Sequence, residues 1–187
     1  MELVINTLRD GGIIIYPTDS LYAIGCNALN NQAIERICRI KGINPAKTNL
    51  SIICHDISQS AEYARIDNRA FRIMKDNLPG PFTFLLPAST TLPKVFKGRK
   101  TVGVRIPDNA IAREIALRMD SPLLTTSIQW DTEDEAINPE SIAMRYSDTV
   151  DIVIDGGEGG TEPSTVIDIT DSSNPEIIRQ GLGEIEL

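Results

Sequence analysis

The sequence predicts an α/β fold in which helices pack on one twisted, mixed β-sheet. Short runs rich in Val, Ile and Phe alternate with longer stretches whose apolar residues recur at helical spacing. The order of these elements is not a strict strand-helix-strand series, so some neighbouring strands must be antiparallel. The chain has 187 residues, of which 41% are hydrophobic, so we expect one core and a single domain over residues 1–187.

The first elements follow from local patterns. Val4 and Leu8, one helical turn apart, predict a helix over residues 2–10. The β-branched and aromatic run at residues 13–16 predicts a buried strand. The next helix and strand are predicted over residues 31–40 and 50–54.

The remaining elements continue the alternation. A helix is predicted from Asp67, with Phe71 and Met74 buried, and a later one is predicted over residues 109–119, with Asp108 as its N-cap. Pro139 fits the first turn of a third helix, which ends at Tyr146. Strands are predicted over residues 82–86, 101–106, 123–127, 151–155, 164–169 and 176–179. The total is seven or eight strands and four or five helices.

Composition narrows the class of protein. The formal net charge of −8 argues against broad nucleic-acid binding, although a local basic stretch contains Lys94, Lys97, Arg99 and Lys100. Three cysteines without CxxC spacing predict reduced thiols and a cytoplasmic protein, and one histidine makes a zinc site improbable. The N-terminal stretch does not resemble a signal peptide. No run approaches the roughly 18 apolar residues of a membrane span, so we expect no membrane partner.

Polar side chains and cations cluster where predicted strands end. Thr18, Asp19 and Ser20 follow the first strand directly after Pro17. Such a cluster is typical of an ordinary turn, but strand ends are also where α/β sheets bind ligands. The candidate hydroxyl donors are Thr18, Ser127, Ser164 and Thr165, and the candidate cations are Lys41, Lys47, Arg105 and Arg179. The alternative for the cations is solvation or pairing with any of 26 acidic residues.

These motifs, taken in order, resemble the YrdC/YciO family, whose best-known members are threonylcarbamoyl-AMP synthases. The resemblance begins with PTDSLYAIG at residues 17–25 and covers nearly the whole chain. The other matching segments are residues 41–47, PGPFT at 79–83, GVRIP at 103–107, TTS at 125–127, PSTVID at 163–168 and RQG at 179–181.

The resemblance implies a YrdC-like α/β domain and an activity. Family synthases join L-threonine, bicarbonate and ATP into threonylcarbamoyl-adenylate and release pyrophosphate, a nucleotidyltransferase reaction that serves tRNA modification. ATP would arrive with Mg²⁺, and no protein-bound metal is expected. The resemblance also implies tRNA or double-stranded RNA as a partner, and the sequence leaves the oligomeric state open.

The family motifs also imply roles for individual residues. Thr18 and Tyr22 are expected near the threonine substrate. Lys41 and Lys47 are the expected catalytic cations, near threonine, bicarbonate and the phosphates. The residues expected to bind the nucleotide are Pro81, Thr83, Arg105, Ser127, Ser164 and Arg179. Preorganised cations of this kind would stabilise the charge that develops when a carbamate oxygen attacks the α-phosphate.

Two departures from the family pattern favour the YciO-like branch. Family synthases usually carry Lys-x-Arg in the loop after the second helix, but here Ile43 takes the place of the arginine. They also usually carry Ser-x-Asn at the strand end where this chain has Ser127 followed by Gln129. The alternative to a synthase is therefore a protein whose cleft binds double-stranded RNA or a nucleotide without turnover, or a nucleotide-binding regulator.

Overall fold

In the computed structural model of the chain, the described residues are 1–48, 50–97 and 100–186, with only the backbone of Lys97. The helices are α1 (Glu2–Arg9), α2 (Asn31–Lys41), α3 (Ile57–Tyr63), α4 (Asn68–Asn77), α5 (Lys94–Lys97), α6 (Ala110–Met119), α7 (Glu133–Ile137) and α8 (Pro139–Tyr146). The strands are β1 (Ile14–Tyr16), β2 (Ala23–Asn27), β3 (Ser51–Ile53), β4 (Phe82–Pro87), β5 (Thr101–Arg105), β6 (Leu123–Ser127), β7 (Ile152–Val153), β8 (Thr165–Asp168) and β9 (Glu176–Arg179).

The strands form one sheet of mixed direction, as the sequence predicted. Across the described residues, nine strands pair in the order β7-β1-β2-β6-β3-β5-β4-β8-β9. Three neighbouring pairs are parallel, namely β1–β7, β3–β5 and β4–β8, and the other five are antiparallel. The chain thus crosses the sheet repeatedly and brings distant segments to neighbouring strand ends.

One face of the sheet is fully packed. Leu124 of β6, Val104 of β5 and Phe84 of β4 point into a large apolar cluster. The helices α2, α4 and α8 cover this face with buried side chains such as Ile37 and Met74. Because alternate residues of a strand point to opposite faces, the intervening residues of the same strands must serve the other face.

The other face is covered only in part. Ile14, Ile53 and Leu123 pack there against α1 and α6 in a second, smaller cluster, together with Leu8 and Ile115. The same faces of β3, β5 and β6 continue past this cluster as Ser51, Arg105 and Thr125, which carry polar side chains. This uncovered part of the sheet is where a ligand has room.

Several elements differ from the predictions. Strand β2 was not predicted, because its sequence AIGCN lacks a β-branched run. Helices α3, α5 and α7 were not predicted either, and α7 lies in the stretch that was expected to be an acidic loop. The prediction that Phe71 is buried was wrong: it is 44% exposed, while Ala70 and Met74 face the core. The N-cap of α6 is Asn109, not Asp108.

Candidate functional site

A cleft of about 410 Å³ lies over the uncovered part of the sheet. Its floor is built from alternate residues of successive strands, and its rim comes from the loops that follow β1 and α2 and from β9. The polar residues that line it are Ser20, Thr48, Ser51, Thr83, Arg105, Thr125, Thr126, Ser127, Ser164 and Arg179. None of the described lining residues is acidic, so the cleft presents two guanidinium groups and many hydroxyls without a carboxylate.

Two buried hydroxyls meet on the floor. Thr83 Oγ1 and Ser164 Oγ lie 2.9 Å apart, and their side chains come from the parallel neighbours β4 and from the residue that precedes β8. Gly103 of β5 leaves the room beside them, because a Cβ at that position would lie 2.3 Å from Ser51 Oγ and 3.0 Å from Thr83 Cγ2. The glycine in TVGVR therefore makes space for hydroxyl groups on the floor of the cleft.

Arg105, at the end of β5, lies at the bottom of the cleft in an ion pair. Its Nη2 donates to Asp19 Oδ1 at 3.0 Å and to Ser20 Oγ at 3.0 Å, and both charged side chains are less than 10% exposed. Burial lowers the pKa of Arg105, the Asp19 carboxylate raises it, and the positive charge of Arg179 lowers it again. Two guanidinium groups therefore repel each other here, and an anion bound at this end would relieve that repulsion.

Arg179, at the end of β9, lies on the exposed side of the same space. Its Nη2 and Nε donate to the Ser164 carbonyl oxygen at 2.8 and 3.2 Å. These bonds orient the guanidinium along the rim next to the buried Ser164 hydroxyl. The predicted nucleotide-binding residues Thr83, Arg105, Ser127, Ser164 and Arg179 thus line one cleft, although the family roles assigned to them stay predictions.

The two predicted catalytic lysines lie in and beside the loop after α2. Lys41 Nζ donates to the Ser127 carbonyl oxygen at 2.5 Å, and burial lowers the pKa of Lys41. Lys47 is exposed, and its backbone N–H donates to Asn44. The residues of this loop that line the cleft are Ile43 and Thr48, so the position where the family pattern has an arginine presents an apolar side chain to the cleft.

Like Lys41 and Lys47, the remaining predicted site residues lie outside the cleft lining. Thr18 Oγ1 donates to the Leu21 carbonyl at 2.6 Å and accepts from Ser20 N–H, which shapes the turn before the cleft. The Pro81 carbonyl accepts from the Thr165 N–H, within the β4–β8 pairing. Tyr22 is 1% exposed, and its hydroxyl is occupied by the glycine-rich loop at residues 156–160.

That glycine-rich loop packs directly on the turn after β1. A Cβ at Gly156 would lie 2.3 Å from Pro17 Cγ, and one at Gly160 would lie 2.3 Å from the Ser20 carbonyl oxygen. The Tyr22 hydroxyl donates to the Gly157 carbonyl at 2.7 Å and accepts from Gly156 N–H at 3.0 Å. The glycines therefore permit a close approach that supports the turn carrying Asp19 and Ser20.

Two further functional candidates are Ser51, which the sequence analysis did not name, and Asp19, which it named in the polar cluster after β1 without a site role. Both depend on non-local contacts, Asp19 on Arg105 and Ser51 on the pairing of β3 with β5. The alternation of β5, which puts Gly103 and Arg105 on one face, is the signal that points to Ser51 opposite Gly103.

The described residues contain neither a metal-binding cluster nor a membrane-spanning helix. Within residues 1–48, 50–97 and 100–186, no group of three or more His, Cys, Asp or Glu side chains is arranged to hold a metal ion. In the same ranges, none of the helices has both the length and the apolarity needed to cross a bilayer.

Comparison with known proteins identifies the family. A family model for Sua5, YciO and YrdC proteins, described as "Telomere recombination", matches residues 6–181. The chain is 40% identical over 185 residues to the protein YciO of Escherichia coli (strain K12), which covers 97% of this chain and 89% of YciO. The crystal structure of Escherichia coli YciO superposes with a TM-score of 0.89 over the same shares.

The chain is also similar in sequence and fold to a threonylcarbamoyl-AMP synthase. The threonylcarbamoyl-AMP synthase of Pyrococcus abyssi is 34% identical over 193 residues, which cover all of this chain and 56% of the synthase. The structure of Pyrococcus abyssi Sua5 complexed with L-threonine superposes with a TM-score of 0.85 at 32% identity, over 96% of this chain and 53% of that one. Since the family model spans almost the entire sequence and the relatives agree with it in sequence and fold, the chain belongs to the Sua5/YciO/YrdC family.

Proposed function

We propose that this protein condenses L-threonine, bicarbonate and ATP into threonylcarbamoyl-adenylate, pyrophosphate and water, for threonylcarbamoyladenosine modification of tRNA. The observation that carries the proposal is the cleft in which Arg105 and Arg179 face one space lined by hydroxyls and, among its described residues, by no carboxylate. An acid-free pocket with two guanidinium groups favours a ligand with several anionic oxygens, such as a triphosphate.

The proposed roles follow the position of each group in the cleft. Arg105 and Arg179 bind the phosphates, and the paired Thr83 and Ser164 hydroxyls donate to oxygens at the floor. The Lys41 ammonium lies at the end of β6, where it donates to the Ser127 carbonyl oxygen. There it offsets the charge that develops as the carbamate oxygen attacks the α-phosphorus. Pyrophosphate leaves as the new phosphorus–oxygen bond forms. Mg²⁺ enters with ATP as part of the substrate.

Two features support L-threonine and bicarbonate as the other substrates. The Pyrococcus abyssi relative was crystallised with L-threonine, and its fold matches 96% of this chain. Lys41 ends α2 and Lys47 lies in the loop that follows, and both are similar to the family lysines expected near these substrates. By this proposal Thr18 shapes the threonine end of the cleft through its bonds to Ser20 and Leu21.

Ile43 favours a second candidate function, binding of a nucleotide or double-stranded RNA without turnover. Ile43 lines the cleft where family synthases usually have an arginine. Identity is also higher to YciO, at 40%, than to the Pyrococcus abyssi synthase, at 34%. Losing one preorganised cation typically lowers the rate by about 10²–10³-fold, so this candidate predicts binding of ATP with negligible pyrophosphate release.

The deciding experiment is pyrophosphate release from ATP with L-threonine and bicarbonate, each omitted in turn. The synthase proposal predicts release that requires all three, and that falls by about 10²-fold or more in Lys41→Ala. Lys75→Ala, which removes an exposed lysine of α4, is the matched control and should leave the rate unchanged. ATP binding without release would refute the synthase and support the second candidate.

A further inference from the structure

Asp19 links the turn after β1 to the stretch at residues 105–108, which lies far away in the sequence and in the sheet. It sits in the turn after β1, whereas its partner Arg105 ends β5, and the strands β2, β6 and β3 lie between them. Its Oδ1 accepts from Arg105 Nη2 at 3.0 Å, and its Oδ2 accepts from the Asp108 N–H at 2.7 Å, just before α6. Both carboxylate oxygens of Asp19 are therefore engaged, and together they fix the Arg105 side chain relative to the backbone at residue 108.

The Arg105 guanidinium is buried, so its orientation depends on the few groups that contact it. The Arg105 side chain is 9% exposed, so desolvation lowers its pKa, and the like charge of Arg179 lowers it further. In the part of the chain that the structure describes, the buried Nε has no hydrogen-bond partner. With Nη2 fixed by Asp19 and Ser20, the guanidinium plane is set and the rest of its N–H fork remains for a ligand.

We propose that Asp19 is a positioning residue, which holds the Arg105 guanidinium in the orientation that binds the anionic oxygens of the ligand. The inference rests on the proposed function, because it takes the cleft to be a phosphate-binding site. Asp19 does not line the cleft itself and acts only through Arg105. A second interpretation gives Asp19 the role of a counter-charge, and the two make opposite predictions for anion affinity.

The test is titration calorimetry with inorganic pyrophosphate and with Mg-ATP. The proteins are the wild type, Asp19→Asn, Asp19→Glu, Arg105→Gln and the double variant Asp19→Asn/Arg105→Gln. Asp76→Asn is the matched control, because it removes the same charge from the exposed surface of α4, on the opposite face of the sheet. Near-ultraviolet circular dichroism at the titration temperature shows that each protein is folded.

Positioning predicts a loss of affinity of about tenfold or more in Asp19→Asn. It predicts a smaller loss in Asp19→Glu, which keeps the charge but moves the carboxylate. In the Arg105→Gln background the Asp19 substitution should have no further effect, because the group it orients is gone. Asp76→Asn should stay within about twofold of the wild type.

Several results would overturn the inference. A counter-charge would give tighter anion binding in Asp19→Asn and wild-type affinity in Asp19→Glu. A loss that persists in the Arg105→Gln background would show that Asp19 does not act through Arg105. If Asp19→Asn does not fold, wild-type affinity of Asp19→Glu refutes positioning. A wild type that binds neither probe refutes the proposed function as well, whereas an Asp19-dependent affinity without turnover refutes the synthase alone.

Discussion

Arg105 and Arg179 line the same cleft but have different structural roles. Arg105 is buried in an ion pair with Asp19, and removing one partner of a buried pair leaves the other charge without compensation. Arg179 is exposed and bonds only to Ser164 among the contacts described above. Substitution of Arg105 therefore affects both ligand binding and folding, whereas substitution of Arg179 affects mainly ligand binding.

We predict that Arg105→Gln and Arg179→Gln both weaken pyrophosphate binding, but that only Arg105→Gln strongly destabilises the fold. The expected loss of stability is about 3–5 kcal/mol for Arg105→Gln and below about 1 kcal/mol for Arg179→Gln. Urea unfolding measures the stability and calorimetry the affinity. Equal stability of the two variants would contradict the ion pair described here.

Lys41 provides a prediction about pH. Burial lowers the pKa of its ammonium below the ordinary lysine value, so it loses its charge at lower pH than an exposed lysine. If the charge serves catalysis, pyrophosphate release falls on the alkaline side, and Lys41→Arg moves that limb to higher pH because a guanidinium does not titrate there. The pH profile of the rate measures this shift.

The shifted pKa of Lys41 also makes folding stability depend on pH, and the sign of this dependence rules out unfolding as the cause of lost activity. Because the pKa of Lys41 is lower in the folded than in the unfolded state, the unfolded chain binds more protons between the two values, and the Lys41 contribution to stability rises with pH. Lost activity at alkaline pH therefore does not come from unfolding through Lys41. Lys75→Arg, on the surface of α4, should leave the profile where it is.

At the scale of elements, the glycine-rich loop and the turn after β1 form one unit through Tyr22. We predict that Tyr22→Phe lowers stability by about 1–3 kcal/mol and speeds amide hydrogen exchange at residues 156–160. Tyr146→Phe is the matched comparison, because the Tyr146 hydroxyl makes an equivalent pair of bonds to the N–H and carbonyl of Gln129. It should speed exchange near Gln129 and leave residues 156–160 unchanged.

Tyr22→Phe also tests the family role expected for Tyr22. If Tyr22 acts only by supporting the loop, the threonine concentration needed for half-maximal release changes little once the protein is folded. If the hydroxyl reaches the substrate during turnover, that concentration rises markedly in Tyr22→Phe. Unchanged exchange at residues 156–160 would contradict the support described here.

The elements also show which features a sequence reveals. Strand β1 was predicted because IIIY is β-branched, aromatic and fully buried, whereas β2 contains small residues that give no such signal. Phe71 was assigned to the core because it lies three residues before Met74, but the helix turns Ala70 toward the core instead. The spacing of apolar residues shows that a segment is helical, but in a short helix it does not show reliably which side faces the core.

The candidate site was predictable to the extent that its residues follow strands. Thr83, Arg105 and Ser127 lie in or at the ends of strands with clear patterns, and alternation puts them on one face. Asp19 was not predicted, because its role depends on a partner 86 residues away, across three intervening strands. Strand order, which local pattern does not specify, decides such contacts.

At the scale of the whole molecule, uneven coverage of the sheet determines where function can lie. One face is closed by helices, and the other is closed by α1 and α6 over only part of its width. The uncovered part carries Arg105 at the bottom of the cleft and Arg179 on its rim, in a molecule with a formal net charge of −8. A small anion can enter the cleft and meet these two cations, whereas an extended polyanion also meets the net negative charge of the whole molecule.

This charge distribution predicts weak RNA binding by the isolated protein. In fluorescence anisotropy with a short RNA duplex, we expect affinity to fall from low to physiological salt with a log–log slope no steeper than about −3, as for a few phosphate contacts. The basic stretch after β4 is the alternative binding surface. Its exposed lysines Lys94 and Lys100 lie within the described residues, whereas Arg99 and the side chain of Lys97 lie outside them.

The double variant Lys94→Glu/Lys100→Glu decides whether that stretch carries the binding. A small site in the cleft predicts that the variant keeps its affinity for pyrophosphate and changes RNA binding no more than Lys75→Glu does. Tight, steeply salt-dependent RNA binding that disappears in the double variant, together with no pyrophosphate release, would instead favour RNA as the ligand. Arg105 would then serve a nucleotide, because its position at the bottom of a 410 Å³ cleft excludes a duplex.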